Sequence, residues 1–126
     1  MANLFNSANA PTDEPIEFVV GDFVQWRINE YSNDYPNTTH TMEYVARIRG
    51  GGANEIKISS TTIDDDYLFT VTSATSGAYT SGHYHWQLEV VETSSSNRIV
   101  LNTGEWEIRP DLDDNNADPR AHYEIM

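Results

Sequence analysis

The stretch Gly82–Val91 constrains this chain more than any other. Tyr84, Trp86, Leu88 and Val90 fall on one parity, and His83, His85, Gln87 and Glu89 on the other. Successive side chains of a β-strand point to opposite faces, so the stretch predicts a half-buried strand with a large aromatic at its centre. Trp and Tyr bury large areas and dominate small cores. The other strands are therefore expected to pack on this one, and function to occupy the surface that packing leaves exposed.

The same alternation recurs along the chain. Strands are predicted over Ile16–Val20 and over Phe23–Ile28, the latter with Val24, Trp26 and Ile28 on one parity. His40–Ile48 turns Met42, Tyr44, Ala46 and Ile48 inward. Glu55–Ser59 pairs Ile56 with Ile58, and Tyr67–Thr72 aligns Tyr67, Phe69 and Val71. Arg98–Leu101 and Glu105–Arg109 form a last hairpin arm, kinked at Thr103–Gly104, with Trp106 and Ile108 inward. Turn-forming composition separates these runs at Gly21–Asp22, Asn33–Asn37, Arg49–Asn54, Asp64–Asp66 and Thr93–Asn97. Ser73–Ser81 is small and polar, with one helical turn expected around Ala78–Tyr79.

About seven short strands at roughly 8–12-residue spacing are the pattern of a β-sandwich. The expected fold is all-β: an immunoglobulin-like antiparallel β-sandwich over residues 16–110. An extended arm over residues 1–15 precedes it. An acidic linker and the start of a short helical tail follow over 111–126, where Asp118 suits an N-cap and Pro119 a first helical turn. The expected core is Trp26, Tyr44, Phe69, Tyr84, Trp86, Leu88 and Trp106. The chain has no cysteine, so this sandwich lacks the inter-sheet disulfide of antibody domains.

Charge narrows the partners. With 20 acidic against 7 basic residues the formal charge is -13. Neutralising nucleic-acid phosphates needs Lys and Arg, so nucleic acid is not an expected partner. An anionic membrane is excluded on the same ground. Basic protein surfaces are favoured instead. The first residues carry neither a basic n-region nor an apolar h-region, and no apolar run reaches membrane-spanning length. Synthesis in the cytoplasm is expected.

No chemistry converges in the sequence. His83 and His85, at i and i+2 with Glu89 nearby, are zinc-capable types, but an outward polar face accounts for them. Asp111–Asn115 starts like a calcium loop, then places Asn116 where the turn needs Gly and His122 where it needs Glu. Asp64, Asp65 and Asp66 read as a solvated turn. There is no G-x-S-x-G and no phosphate loop. No enzyme activity, cofactor or metal is therefore expected. Tyr31, Tyr35 and Tyr79 are candidates for stacking on sugars.

Several runs occur in a telling order: Asp34-Tyr35-Pro36, Tyr44-Val45-Ala46-Arg47, Ala78-Tyr79 with Ser81-Gly82, Tyr84-x-Trp86-Gln87, Thr103-Gly104 leading to Ile108-Arg109-Pro110-Asp111-Leu112, then Asp118-Pro119-Arg120-Ala121-His122. In this order the chain resembles a family of small virion proteins of tailed phages, encoded among head and head–tail genes. The resemblance implies an immunoglobulin-like sandwich followed by a segment similar to head-completion W proteins, here cut short at Met126. It implies a non-enzymatic structural protein of the virion, at the head or head–tail junction, that binds capsid or connector proteins and copies of itself. Capsid decoration is the alternative location. A carbohydrate-binding module meeting a host-surface glycan is the alternative of another class. The residues expected to touch partners are Leu4 and Phe5 of the arm and Pro119, Arg120, His122, Tyr123, Ile125 and Met126 of the tail. Both arms are expected to order only against those partners, because burial there offsets the entropy of ordering them.

Overall fold

The computed structural model describes residues 3–50 and 55–112. The proposed helix start at Asp118 and the tail contacts Pro119, Arg120, His122, Tyr123, Ile125 and Met126 lie outside them. The strands are β1 (Glu17–Val19), β2 (Val24–Ile28), β3 (His40–Ile48), β4 (Glu55–Ser59), β5 (Thr61–Ile63), β6 (Asp66–Val71), β7 (Gly82–Glu92) and β8 (Arg98–Arg109). They form two sheets: a five-stranded one in the order β1-β8-β7-β3-β4, and a three-stranded one in the order β2-β6-β5. The Gly82–Val91 stretch lies in β7, the middle strand of the larger sheet, as its pattern demanded.

Aromatic side chains fill the space between the sheets. Trp26 and Phe69 come from the smaller sheet and stack at 5.5 Å, with ring planes 16° apart. Tyr44 of the larger sheet presents its edge to Phe69 at 4.7 Å and to Trp86 at 5.2 Å. Trp106 closes the cluster at 6.0 Å from Trp26 and 5.5 Å from Tyr44. Edge-to-face and offset pairs of this kind contribute about 0.5–1.5 kcal/mol each beyond the area they bury. All the expected core residues, Trp26, Tyr44, Phe69, Tyr84, Trp86, Leu88 and Trp106, are buried.

Gly104 stands opposite Trp86 across the β7–β8 pair, where a Cβ would lie 2.3 Å from Trp86 Cζ2. The indole therefore takes the room a side chain would fill. β8 runs unbroken through Thr103–Gly104, and its irregularity sits where Leu88 passes to Glu89, leaving Leu101 as the extra residue of a bulge. The expected kink is thus displaced toward the hairpin tip.

Other departures have local causes. β1 runs parallel to β8, pairing Glu17 with Glu107 and Val19 with Arg109, so the sandwich is not wholly antiparallel. β5 is an additional strand of three residues, too short and too exposed to show alternation. The helical turn forms at Ser73–Ser76 (α1), earlier than expected, because the Thr72 side chain caps it by accepting from the Thr75 N–H. Buried Ser76 then donates to the Asp22 carbonyl at 2.6 Å, tying α1 to the β1–β2 turn. At the start of β7 the Tyr84 hydroxyl donates to the Thr80 carbonyl at 2.6 Å.

The N-terminal arm is docked, which revises the expectation that it orders only against a partner. A short 3-10 turn at Ser7–Asn9 is capped by Asn6. Ala10 is buried, and the Arg27 N–H of β2 donates to the Pro11 carbonyl at 2.8 Å. Glu14 accepts from the buried Tyr44 hydroxyl at 2.9 Å. The arm thus covers the outer edge of β2 and supplies an acceptor that the core would otherwise lack.

Candidate interaction surface

Leu4 and Phe5 remain largely uncovered at the arm's start, at 61% and 73% exposure. Phe5 meets Phe23 at 5.1 Å. Ile16, where the arm enters β1, is exposed as well. These side chains sit on backbone that the sandwich already holds, so a partner would meet apolar groups whose ordering is partly complete.

The outer face of the larger sheet is a carpet of cross-strand ion pairs. Most of the chain's 7 basic residues lie on it. Arg47 and Lys57 meet Glu55, Arg49 meets Glu105, and Arg98 meets Glu89. Arg109 bridges Glu17 at 2.8 Å and Glu107 at 3.0 Å. The hydrogen bond to Glu107 and the charges of Glu17 and Glu107 raise the Arg109 pKa. Glu89 is nearly buried and takes a second bond from Gln87 at 2.7 Å. A groove across this face, lined by Glu43, Val45, Gln87 and Thr103, carries both signs of charge side by side. Exposed pairs of this kind contribute about 0–1 kcal/mol each, so the carpet bears on solubility and recognition more than on stability.

His83 and His85 stand on the same face and are exposed. His83 lies 3.9 Å from Glu107 and His85 3.7 Å from Glu105. They face different carboxylates, and Arg49 also reaches His85 at 3.3 Å. Among the described residues no group of three His, Cys, Asp or Glu side chains is placed to hold a metal.

The Asp64–Asp66 run has a structural task. Asp66 accepts from Arg27 and, at 2.9 Å, from Ser32. Its hydrogen bond raises the Arg27 pKa. Asn37 donates to the carbonyls of Asp64 and Asp66 at 3.1 and 2.8 Å. The long loop between β2 and β3 is thereby fastened to the β5–β6 turn. The sequence could not separate this lock from a solvated turn, because Ser32 and Asn37 are remote in the chain.

Tyr31, Tyr35 and Tyr79 do not form an open stacking platform. All three are partly buried and pack against the core, and the Tyr35 carbonyl accepts from the Tyr67 hydroxyl. No helix among the described residues is long and apolar enough to cross a membrane. No protein-family model matches the chain, and no curated protein matches it.

Proposed function

We propose that this chain is a non-enzymatic structural module of a tailed-phage virion: an immunoglobulin-like sandwich that binds capsid or connector proteins at the head or head–tail junction. The observation that carries the reading is the docked arm, which holds exposed Leu4 and Phe5 against a rigid aromatic-cored body. A structural module needs such a body and a sticky projection; it needs no convergent catalytic set.

The immunoglobulin-like assignment has its own support. The sheets β2-β6-β5 and β8-β7-β3-β4 follow the B-E-D and G-F-C-C′ strand orders, with β1 joined to the edge of the second. Tyr84, at the start of the strand equivalent to F, bonds back to Thr80 in the manner of a tyrosine corner. In antibody domains the second disulfide cysteine follows that tyrosine by two residues. Here the position is Trp86. Its ring meets Tyr44 and Trp106, so aromatic packing joins the sheets where a disulfide would.

Particle reconstitution tests the virion role. Leu4→Ser with Phe5→Ser should leave melting within about 1 °C of the parent, because both side chains are exposed, and should abolish incorporation into particles. Incorporation at the parental copy number would refute attachment through the arm. Binding of the parent to a glycan array without any binding to virion proteins would favour the carbohydrate-binding reading instead.

A further inference from the structure

A sheet edge is a ready template for another strand, and folded proteins usually blunt their edges. Most edges of this sandwich are blunted. The arm covers β2 through the Pro11 carbonyl. β1 and β5 are three residues long. β4 carries Glu55 and Lys57 along its exposed side. The exception is the first part of β8. β7 pairs with it on one side, while β1 covers only Glu107–Arg109 on the other. Residues 98–105 are therefore an open edge, with Ile99 56% and Val100 43% exposed.

We infer that residues 98–105 pair antiparallel with the same residues of a second copy of this chain, joining two five-stranded sheets into one. The bulge supplies the reason for self-pairing. From their β7 partners, Arg98, Val100, Thr103 and Glu105 face outward and Ile99, Asn102 and Gly104 face inward. Leu101, the extra residue, packs toward the core. The facing order is out, in, out, in, in, out, in, out, which reads the same in both directions.

A two-fold axis between Leu101 and Asn102 then matches every pair by face. Without the bulge, side-chain alternation would set outward residues against inward ones in this register. The axis sets Arg98 across from Glu105 of the second copy, Val100 across from Thr103, and Ile99 across from Gly104. Opposite charges and β-branched pairs directly across an antiparallel ladder are stabilising. A bulge ordinarily protects an edge by twisting it away, but a partner carrying the same bulge follows the same twist. Such a contact is isologous and closes at two copies. A single strand pair is small against a standard interface of about 1,600 Å², and each copy carries a charge of -13. Association is therefore weak and opposed by long-range repulsion, which salt screens.

This inference is independent of the virion reading. Sedimentation velocity of the full chain from about 5 to about 500 µM, in about 0.05 M and about 0.5 M NaCl, tests it. The expected result is a monomer–dimer equilibrium that tightens at least about 3-fold at the higher salt. Val100→Lys should weaken it about 10-fold or more, whereas Val100→Thr should retain it. Amide exchange at 98–105 should slow with protein concentration. A monomer under every condition, association that salt weakens, or a dimer indifferent to Val100→Lys would each overturn the inference.

Discussion

Gly104→Ala puts the central packing claim to a quantitative test. The added Cβ would lie 2.3 Å from Trp86 Cζ2, 2.6 Å from Cε2 and 2.9 Å from Nε1, all atoms of a rigid ring. To restore ordinary contact the ring would have to move by roughly 1 Å, and close-packed interiors resist such shifts. Tyr44 at 5.2 Å and Trp106 at 6.0 Å restrict where it can go. Overpacking of this sort costs about 1–3 kcal/mol, which for a domain of this size lowers Tm by roughly 4–12 °C. Trp86→Leu removes the ring and should itself cost about 2–4 kcal/mol, somewhat less than truncation to Ala. In that background the new methyl has space, so Gly104→Ala should cost about 0–0.5 kcal/mol. The double-mutant cycle should therefore give a coupling of about 1–3 kcal/mol. Urea denaturation followed by far-UV circular dichroism measures all four proteins. Equal costs of Gly104→Ala in both backgrounds would show that the indole does not occupy the glycine's open side.

Burial raises the pKa of Tyr31, Tyr44, Tyr67, Tyr79 and Tyr84, with the charge of Glu14 adding to the effect at Tyr44. Their neutral forms are favoured in the folded state, so stability should hold up to about pH 10, the ordinary tyrosine value, and fall as pH rises further. Absorbance at tyrosinate wavelengths should then appear largely together with loss of circular dichroism; smooth titration of the folded protein would contradict this. Removing residues 1–12 deletes the Pro11 acceptor and buried Ala10, and should cost about 1–3 kcal/mol by chemical denaturation; unchanged stability would mean the arm is not docked in solution. Asp66→Ala leaves the half-buried Arg27 without its carboxylate and should cost about 1–3 kcal/mol, read as a drop in urea midpoint. Asp64 holds φ at 51° in the β5–β6 turn, so Asp64→Gly should be neutral or stabilising by up to about 1 kcal/mol; a loss above 1 kcal/mol would show that its side chain matters more than its backbone.

The sequence by itself determined which face of each longer strand is buried. Period-2 alternation is local, and large aromatics on one parity have nowhere to go but a shared interior, so Trp26, Tyr44, Trp86 and Trp106 were legible as core. Cysteine absence was equally legible, and with it the need for packing alone to join the sheets. Pairing partners were not. β1 lies parallel to β8 because the end of β8 presents an edge beside Phe18, and nothing within Glu17–Val19 encodes that direction. Leu4 and Phe5 read as a free arm because the groups that hold it, the Arg27 N–H and the Tyr44 hydroxyl, are far away in sequence. Gly104 looked like a kink, and only the indole across the pair explains why no side chain fits there. Alternation records which side of the backbone meets water; which strand lies alongside is decided by long-range contacts between segments, and only the tertiary structure contains those.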